Sequence, residues 1–153
     1  MLGWQGMSGI TTQWSIGLDR SVGPDDVDND GYVRAEVLAG WLAAAVDAYV
    51  AQCQTLQQVP PHHHIVRRPG RQPRASLLGR PSDVLVTASV TEITWTEIVV
   101  TIQVRPYGSD VDLPLSVTCR VSIEDQDTGD PAQLDAAVRD EITALERAAE
   151  YIS

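Results

Sequence analysis

Residues Asp25–Val50 read DDVDNDGYVRAEVLAGWLAAAVDAYV, an acidic, glycine-containing turn that passes without a break into a long alanine-rich pattern. From about Val33 the apolar side chains fall at Val33, Val37, Leu38, Trp41, Leu42, Ala45 and Tyr49, which is helical spacing. Ala39, Gly40, Ala43, Ala44 and Ala48 fill much of the remainder, so this helix is expected to be buried on most sides. Gly40 costs helix propensity and is expected to mark a place of close packing. Carboxylates placed just before such a helix stand beside N–H groups that have no intrahelical acceptor, a natural place for polar chemistry.

The segments around the helix indicate what covers it. Thr11 to Arg20 alternates loosely and is expected to be a first strand, after a frayed leader at residues 1–10. Asp83–Ile93, Thr96–Arg105 and Leu115–Glu124 all alternate with period two. In the last, Leu115, Val117, Cys119, Val121 and Ile123 share one face, and Ser116, Thr118, Arg120, Ser122 and Glu124 the other. The connections at Thr94-Trp95 and Pro106–Asp110 are short, which predicts an antiparallel meander with one covered and one wetter face. Asp130-Pro131 reads as N-cap and first residue of a last helix over residues 131–152, with Leu134, Val138, Ile142, Leu145, Ala149 and Ile152 as its apolar stripe. The layout is α+β, one sheet with a long helix against one face, in a single domain over residues 1–153.

Between the long helix and the meander lies a stretch of different character. Ala48 to Ser82 holds no Asp or Glu, but carries Arg67, Arg68, Arg71, Arg74 and Arg80, together with His62, His63 and His64. Five prolines interrupt it, so it is expected to be mostly loop, with short strands at His63–Arg67 and Arg74–Leu78. No acid or cysteine lies near the histidines to complete a zinc site, and they read as exposed loop residues.

The bulk composition narrows the function. All 11 positive charges are arginine, and the formal net charge of −10 argues against nucleic acid or an anionic membrane as the main partner. The N-terminal residues have neither a basic nor an apolar signal region, and no apolar run approaches the roughly 18 residues that span a bilayer. Cys53 and Cys119 read as two buried free thiols of a cytoplasmic protein.

The acidic turn itself admits two readings. Asp26-Val27-Asp28-Asn29-Asp30-Gly31-Tyr32-Val33 matches the first eight positions of an EF-hand calcium loop. The twelfth position, which must supply a bidentate acid, is Val37, and Glu36 stands one residue short, turned about 100° away on a helix. No second loop exists to pair with it.

The alternative comes from a resemblance. Asp26-x-Asp28-x-x-Gly31-x-Val33, running straight into a long helix, resembles the signature of the hotdog-fold acyl-CoA thioesterases, the 4-hydroxybenzoyl-CoA thioesterase-like family. Leu77-Leu78-Gly79-Arg80-Pro81-Ser82-Asp83-Val84-Leu85-Val86 is similar to that family's entry into its third strand, with Ser82 in place of the glycine of a Gly-Asp pair. The later strands match in length and order, so the resemblance spans roughly residues 12 to 130.

It implies an antiparallel sheet wrapped around the helix, and a homodimer or dimer of dimers with active sites between subunits. It also implies that Asp28 is nucleophile or general base on an acyl-CoA or acyl-carrier-protein thioester. On the same resemblance, the backbone from Gly31 through Arg34 to Ala35, above all the Ala35 N–H, is expected to polarise the carbonyl. Beyond the coenzyme A of the substrate, no cofactor or metal is implied.

The chemistry agrees. A thioester needs a carboxylate to attack it or to activate water, and donors aimed at the developing oxyanion. A helix N-terminus lowers a carboxylate's basicity, which favours the nucleophile role. Arg67, Arg68, Arg71, Arg74 and Arg80 suit the phosphates of coenzyme A, or else form a solvated face offsetting the acidic surface. Where relatives carry His, Tyr or paired Asn after the glycine, this chain has Tyr32, Arg34, Ala35 and Glu36. Glu36 is a second acid or a helix-dipole partner. Asp28 could also serve only as an N-cap, in which case the protein is a noncatalytic acyl-thioester-binding module of the same fold. The dehydratases of this fold use a His near the helix start, and none is present.

Overall fold

The computed structural model describes residues 15–74, 83–106 and 115–152. The leader, the start of the first strand, the Leu77–Ser82 entry to the third strand, and Arg80 lie outside the described residues.

Five strands form one antiparallel sheet: β1 (Ile16–Arg20), β2 (His63–Pro69), β3 (Val84–Ile93), β4 (Glu97–Pro106) and β5 (Leu115–Asp125). Their spatial order is β1-β3-β4-β5-β2, so the expected meander β3–β4–β5 forms the centre. The sheet curls around helix α1 (Ala35–Gln52), and a second helix, α2 (Ala136–Ile152), packs against β3 and the short 3-10 turn that follows α1. Period-two alternation explains the covered face. Val84, Val86, Ala88, Ile98, Val100, Ile102, Val104, Val117, Cys119 and Val121 are buried against Leu38, Trp41, Leu42, Ala45, Val46, Tyr49 and Val50 of α1. Both cysteines are free and buried, and burial pushes the Cys53 thiol up to about 12.

Three expectations need correction. First, α1 is buried on one side only: Ala35, Glu36, Ala39, Gly40, Ala43 and Asp47 are exposed. A Cβ at Gly40 would meet nothing within 4 Å, so within this chain the glycine marks an uncovered face rather than a tight contact. Second, α1 begins at Ala35 instead of about Val33, because Val33 bridges Val27 and Arg34 remains extended as the N-cap. Third, α2 does not start at Pro131. Pro131 bridges Glu124, the Ala132 N–H donates to Ile123 O at 2.7 Å, and the Leu134 N–H donates to Trp95 O at 2.8 Å. Those residues extend the sheet edge, and the helix starts only when they are spent.

Two carboxylates fasten α2 to the rest. Glu141 accepts the N–H groups of Gln54 and Thr55, both at 2.9 Å, and so caps the start of the turn after α1. Glu146 accepts from Ser15 Oγ at 2.7 Å, from Val90 N–H at 3.2 Å and from the hydroxyl of Tyr49, whose side chain is fully buried. One carboxylate thereby ties α2 to β3, to α1 and to the residue before β1. Glu146→Ala should deprive the Tyr49 hydroxyl, Ser15 and the Val90 N–H of their shared acceptor and destabilise the protein by about 1–3 kcal/mol, read as a lowered denaturation midpoint in urea at unchanged slope. Glu146→Gln, which keeps an acceptor, should lose less.

Candidate active site

The acidic turn is a closed loop held by its own backbone. Val27 and Val33 form an isolated bridge; the Asp28 N–H donates to Tyr32 O at 2.8 Å, and the Gly31 N–H to Asp28 O at 3.1 Å. Gly31 adopts φ +86°, a conformation that a side chain rarely tolerates, which explains the glycine at this point of the motif. The Asp28 side chain completes the loop: Oδ1 accepts from the N–H of Asp30 at 2.9 Å and of Tyr32 at 3.0 Å. Arg34 N–H then donates to Asp26 O at 2.8 Å, which sets the entry into α1.

Asp28 is therefore not the N-cap of α1. That position is Arg34, whose side chain makes no capping bond; its Nε instead donates to Asp25 O at 2.8 Å. The donors on Asp28 come from its own loop and not from the helix. They hold its carboxyl below the ordinary carboxylate value: the Tyr32 N–H most, against the opposing cost of burial, then the Asp30 N–H and the charge of Arg74. Since Oδ1 is occupied twice, Oδ2 is the oxygen left for chemistry. Among the described residues its one hydrogen-bond partner is Arg74 Nη2 at 3.4 Å.

The first helical N–H groups, Ala35 and Glu36, have no acceptor within the helix. Glu36 is exposed in that first turn, and no hydrogen bond among the described residues joins it to Asp28. The calcium reading finds no support in the geometry. Asp26 Oδ2 accepts from Gly23 N–H at 2.9 Å and Asp28 Oδ1 is taken up by the loop, so one oxygen of each carboxylate turns to backbone. Among the described residues no group of three or more His, Cys, Asp or Glu side chains gathers to hold a metal.

An apolar cavity of about 200 Å³ lies between α1 and the sheet. Ala39, Leu42, Ala43 and Val46 form its helical wall, while Ile102, Val117 and Cys119 line the sheet side. Its first helical residue, Ala39, is one turn beyond Ala35. Gln72 lines the cavity as well, and its amide donates to Ala35 O at 3.0 Å, linking the cavity wall to the start of the helix.

The arginines are less uniform than the sequence implies. Arg67 pairs with Asp47 at 2.8 Å, Arg68 with Glu124, and Arg74 with Asp28. Arg71 is exposed and takes part in none of these pairs. Ser122 and Glu124, expected on the wetter face of β5, are buried at 5% and 7% exposure because Arg68 from neighbouring β2 lies over them. The acids that balance this acid-free segment come from α1, β5 and the acidic loop. Sequence spacing does not disclose such partners, and nothing in the sequence singled out Gln72.

No family model matches this sequence, and no curated protein matches it. Solved structures match in shape. A hypothetical protein from Staphylococcus aureus in complex with CoA superposes with a TM-score of 0.64 at 10% identity, covering 92% of this chain and 89% of that one. A probable thioesterase from Escherichia coli gives 0.62 at 11% identity, covering 84% and 97%. A thioesterase from Thermus thermophilus complexed with coenzyme A and Zn gives 0.58 at 19% identity, covering 88% and 97%. At these identities the likeness establishes the fold: this chain has the hotdog fold, with an added C-terminal helix.

The Arg68–Glu124 pair makes a pH prediction. Hydrogen bonds from Arg68 and Ser122 hold the Glu124 carboxyl down at about 2, against 4.5 for the free side chain. A depressed folded-state value contributes stability above the unfolded value and loses it as the pH falls through the folded one. Thermal melts of the wild type between pH 4.5 and pH 2 should therefore fall more steeply than those of Glu124→Gln. Parallel curves would show that the pair is not linked to folding.

Proposed function

We propose that this protein hydrolyses an acyl-CoA thioester with Asp28 as the nucleophile. The observation that carries the reading is the state of that carboxylate: Oδ1 locked by two loop N–H groups, the group kept ionised, and Oδ2 turned to Arg74. A carboxylate of low basicity is a poor general base, yet it attacks a thioester well when fixed in place, because thiolate is a good leaving group. Oδ2 would attack the carbonyl carbon while the Ala35 and Glu36 N–H groups receive the developing oxyanion. The C–S bond breaks and the thiolate leaves, taking a proton from solvent. Water then opens the acyl–aspartyl anhydride, which releases the acid and restores the carboxylate.

The apolar cavity between α1 and the sheet suits the acyl group, and exposed Arg71, with Arg68 on the same segment, suits the phosphates; Arg67 lines the cavity itself and is left out of that set. Pairing with a single carboxylate leaves a guanidinium further donors for phosphate. The solved structures of this fold that carry coenzyme A support the substrate class. A working unit of two copies is part of the proposal: the uncovered small-residue face of α1, at Ala39, Gly40 and Ala43, is the surface a second copy would close. Glu36 is assigned to the helix dipole, being exposed and unlinked to Asp28. Among the described residues no helix is long and apolar enough to cross a membrane.

The test is a panel of acyl-CoAs of differing chain length, with one acyl-carrier-protein thioester, followed by detection of free thiol. Asp28→Asn should lower kcat by roughly a hundredfold or more on the best substrate, with an unchanged circular dichroism spectrum. Undiminished hydrolysis by that variant would remove Asp28 from the chemistry. Tight binding without turnover across the whole panel would make the protein a noncatalytic acyl-thioester-binding module.

A further inference from the structure

Arg74 stands where a phosphate-binding arginine would not. Its guanidinium carbon lies 3.8 Å from the centroid of the Tyr32 ring, and Nη2 lies 3.4 Å from Asp28 Oδ2. The segment leading to it is fastened at two earlier points. The Gly70 N–H donates to Thr118 O of β5 at 2.7 Å, and a Cβ at Gly70 would meet that same oxygen at 3.0 Å. Two residues later the Gln72 amide holds Ala35 O. The backbone therefore crosses from the sheet to the helix start and delivers Arg74 to the acidic loop. Although the Arg74 side chain is 64% exposed, the ring beneath it and the carboxylate beside it fix where it points.

We propose that Arg74 is a positioning residue for Asp28: stacked on Tyr32, its guanidinium holds Oδ2 in the plane that the Asp30 and Tyr32 N–H bonds set through Oδ1. The inference rests on the reading of Asp28 as the nucleophile. It also takes Arg74 out of the phosphate-binding set. In an acyl-CoA the whole pantetheine arm separates the thioester from the pyrophosphate, so a side chain touching the reacting carboxylate cannot touch the phosphates of the same molecule.

The other charged groups of the loop do not offer Asp28 the same hold. Arg34 is committed to Asp25 O, Asp26 accepts from Gly23, and Asp25 and Asp30 bring only like charge. Among the described residues Arg74 is the one cation paired with Asp28. A neutral replacement frees Oδ2 to rotate away from the attack direction and removes one of the influences that lower the carboxyl's pKa.

The experiment compares wild type, Arg74→Gln and Arg74→Lys on an acyl-CoA and on the matching acyl-pantetheine, which lacks the phosphates. Positioning predicts that Arg74→Gln loses roughly tenfold in kcat on both substrates, with KM little changed. Arg74→Lys, which keeps the charge without the plane, should recover only part. A rise in KM confined to the acyl-CoA would instead make Arg74 a phosphate contact, and unchanged kinetics on both substrates would likewise overturn the proposal. A second readout needs no turnover: the Asp28 carboxyl carbon, titrated by NMR, should show a higher midpoint in Arg74→Gln than in wild type. An unmoved midpoint overturns the coupling. If wild type hydrolyses no thioester, the assigned activity fails, while this titration still decides whether Arg74 acts on Asp28.

Discussion

The burial of one face of α1 is the constraint on which the other features depend. Seven side chains, from Leu38 to Val50, are buried along eighteen residues, and the sheet covers that apolar face by curling around the helix. Once the helix is seated, the position of its first residue is fixed, and so is that of the loop before it, closed by the Val27–Val33 bridge and tied to the N-cap by the Arg34 N–H on Asp26 O. The site then needs little machinery of its own. A glycine with positive φ closes the turn, two N–H groups take one carboxylate oxygen, and the other oxygen is left for Arg74. Precision at Asp28 follows from the packing of a helix that contributes no side chain to the reaction.

Much of this was legible in the sequence, for physical reasons. Strands covered on one face must alternate, so β3, β4 and β5 were readable to within a residue or two of their ends, and Gly31 could be read as a turn glycine. What failed was whatever depended on partners distant in sequence. Asp130-Pro131 carries good helix-start chemistry, yet its backbone is used by Glu124 and Ile123 and the helix is delayed to Ala136. Ser122 and Glu124 alternate as wet-face residues should, but Arg68 crosses from the neighbouring strand and covers them. The alanines of α1 suggested burial on most sides, and Gly40 close packing at that point. Small residues do permit close approach, but they do not say whether the surface that approaches belongs to the same chain.

The arginine-rich segment illustrates the same limit in electrostatic terms. With no acid between Ala48 and Ser82, five guanidiniums looked free to bind a polyanion. Folding brings Asp47, Glu124 and Asp28 to three of them. Of these pairs, the one with Glu124 depresses its acid's pKa strongly, and the one with Asp28 touches the group proposed to react. A pair partly open to solvent contributes little to stability, so the significance of Arg74 lies in orientation rather than in folding energy. Charge counted along the chain describes a surface, whereas charge placed by the fold describes a site.

The central claim is that a thioester meets the free oxygen of Asp28 at the start of α1. The most direct measurement is a crystal structure of the Asp28→Asn protein with an acyl-CoA bound. The account predicts the carbonyl carbon against the side chain of residue 28, the carbonyl oxygen on the N–H groups of Ala35 and Glu36, and the acyl group in the cavity lined by Ala39, Leu42 and Val46. An acyl-CoA whose thioester lies away from residue 28, with that loop untouched, would contradict it.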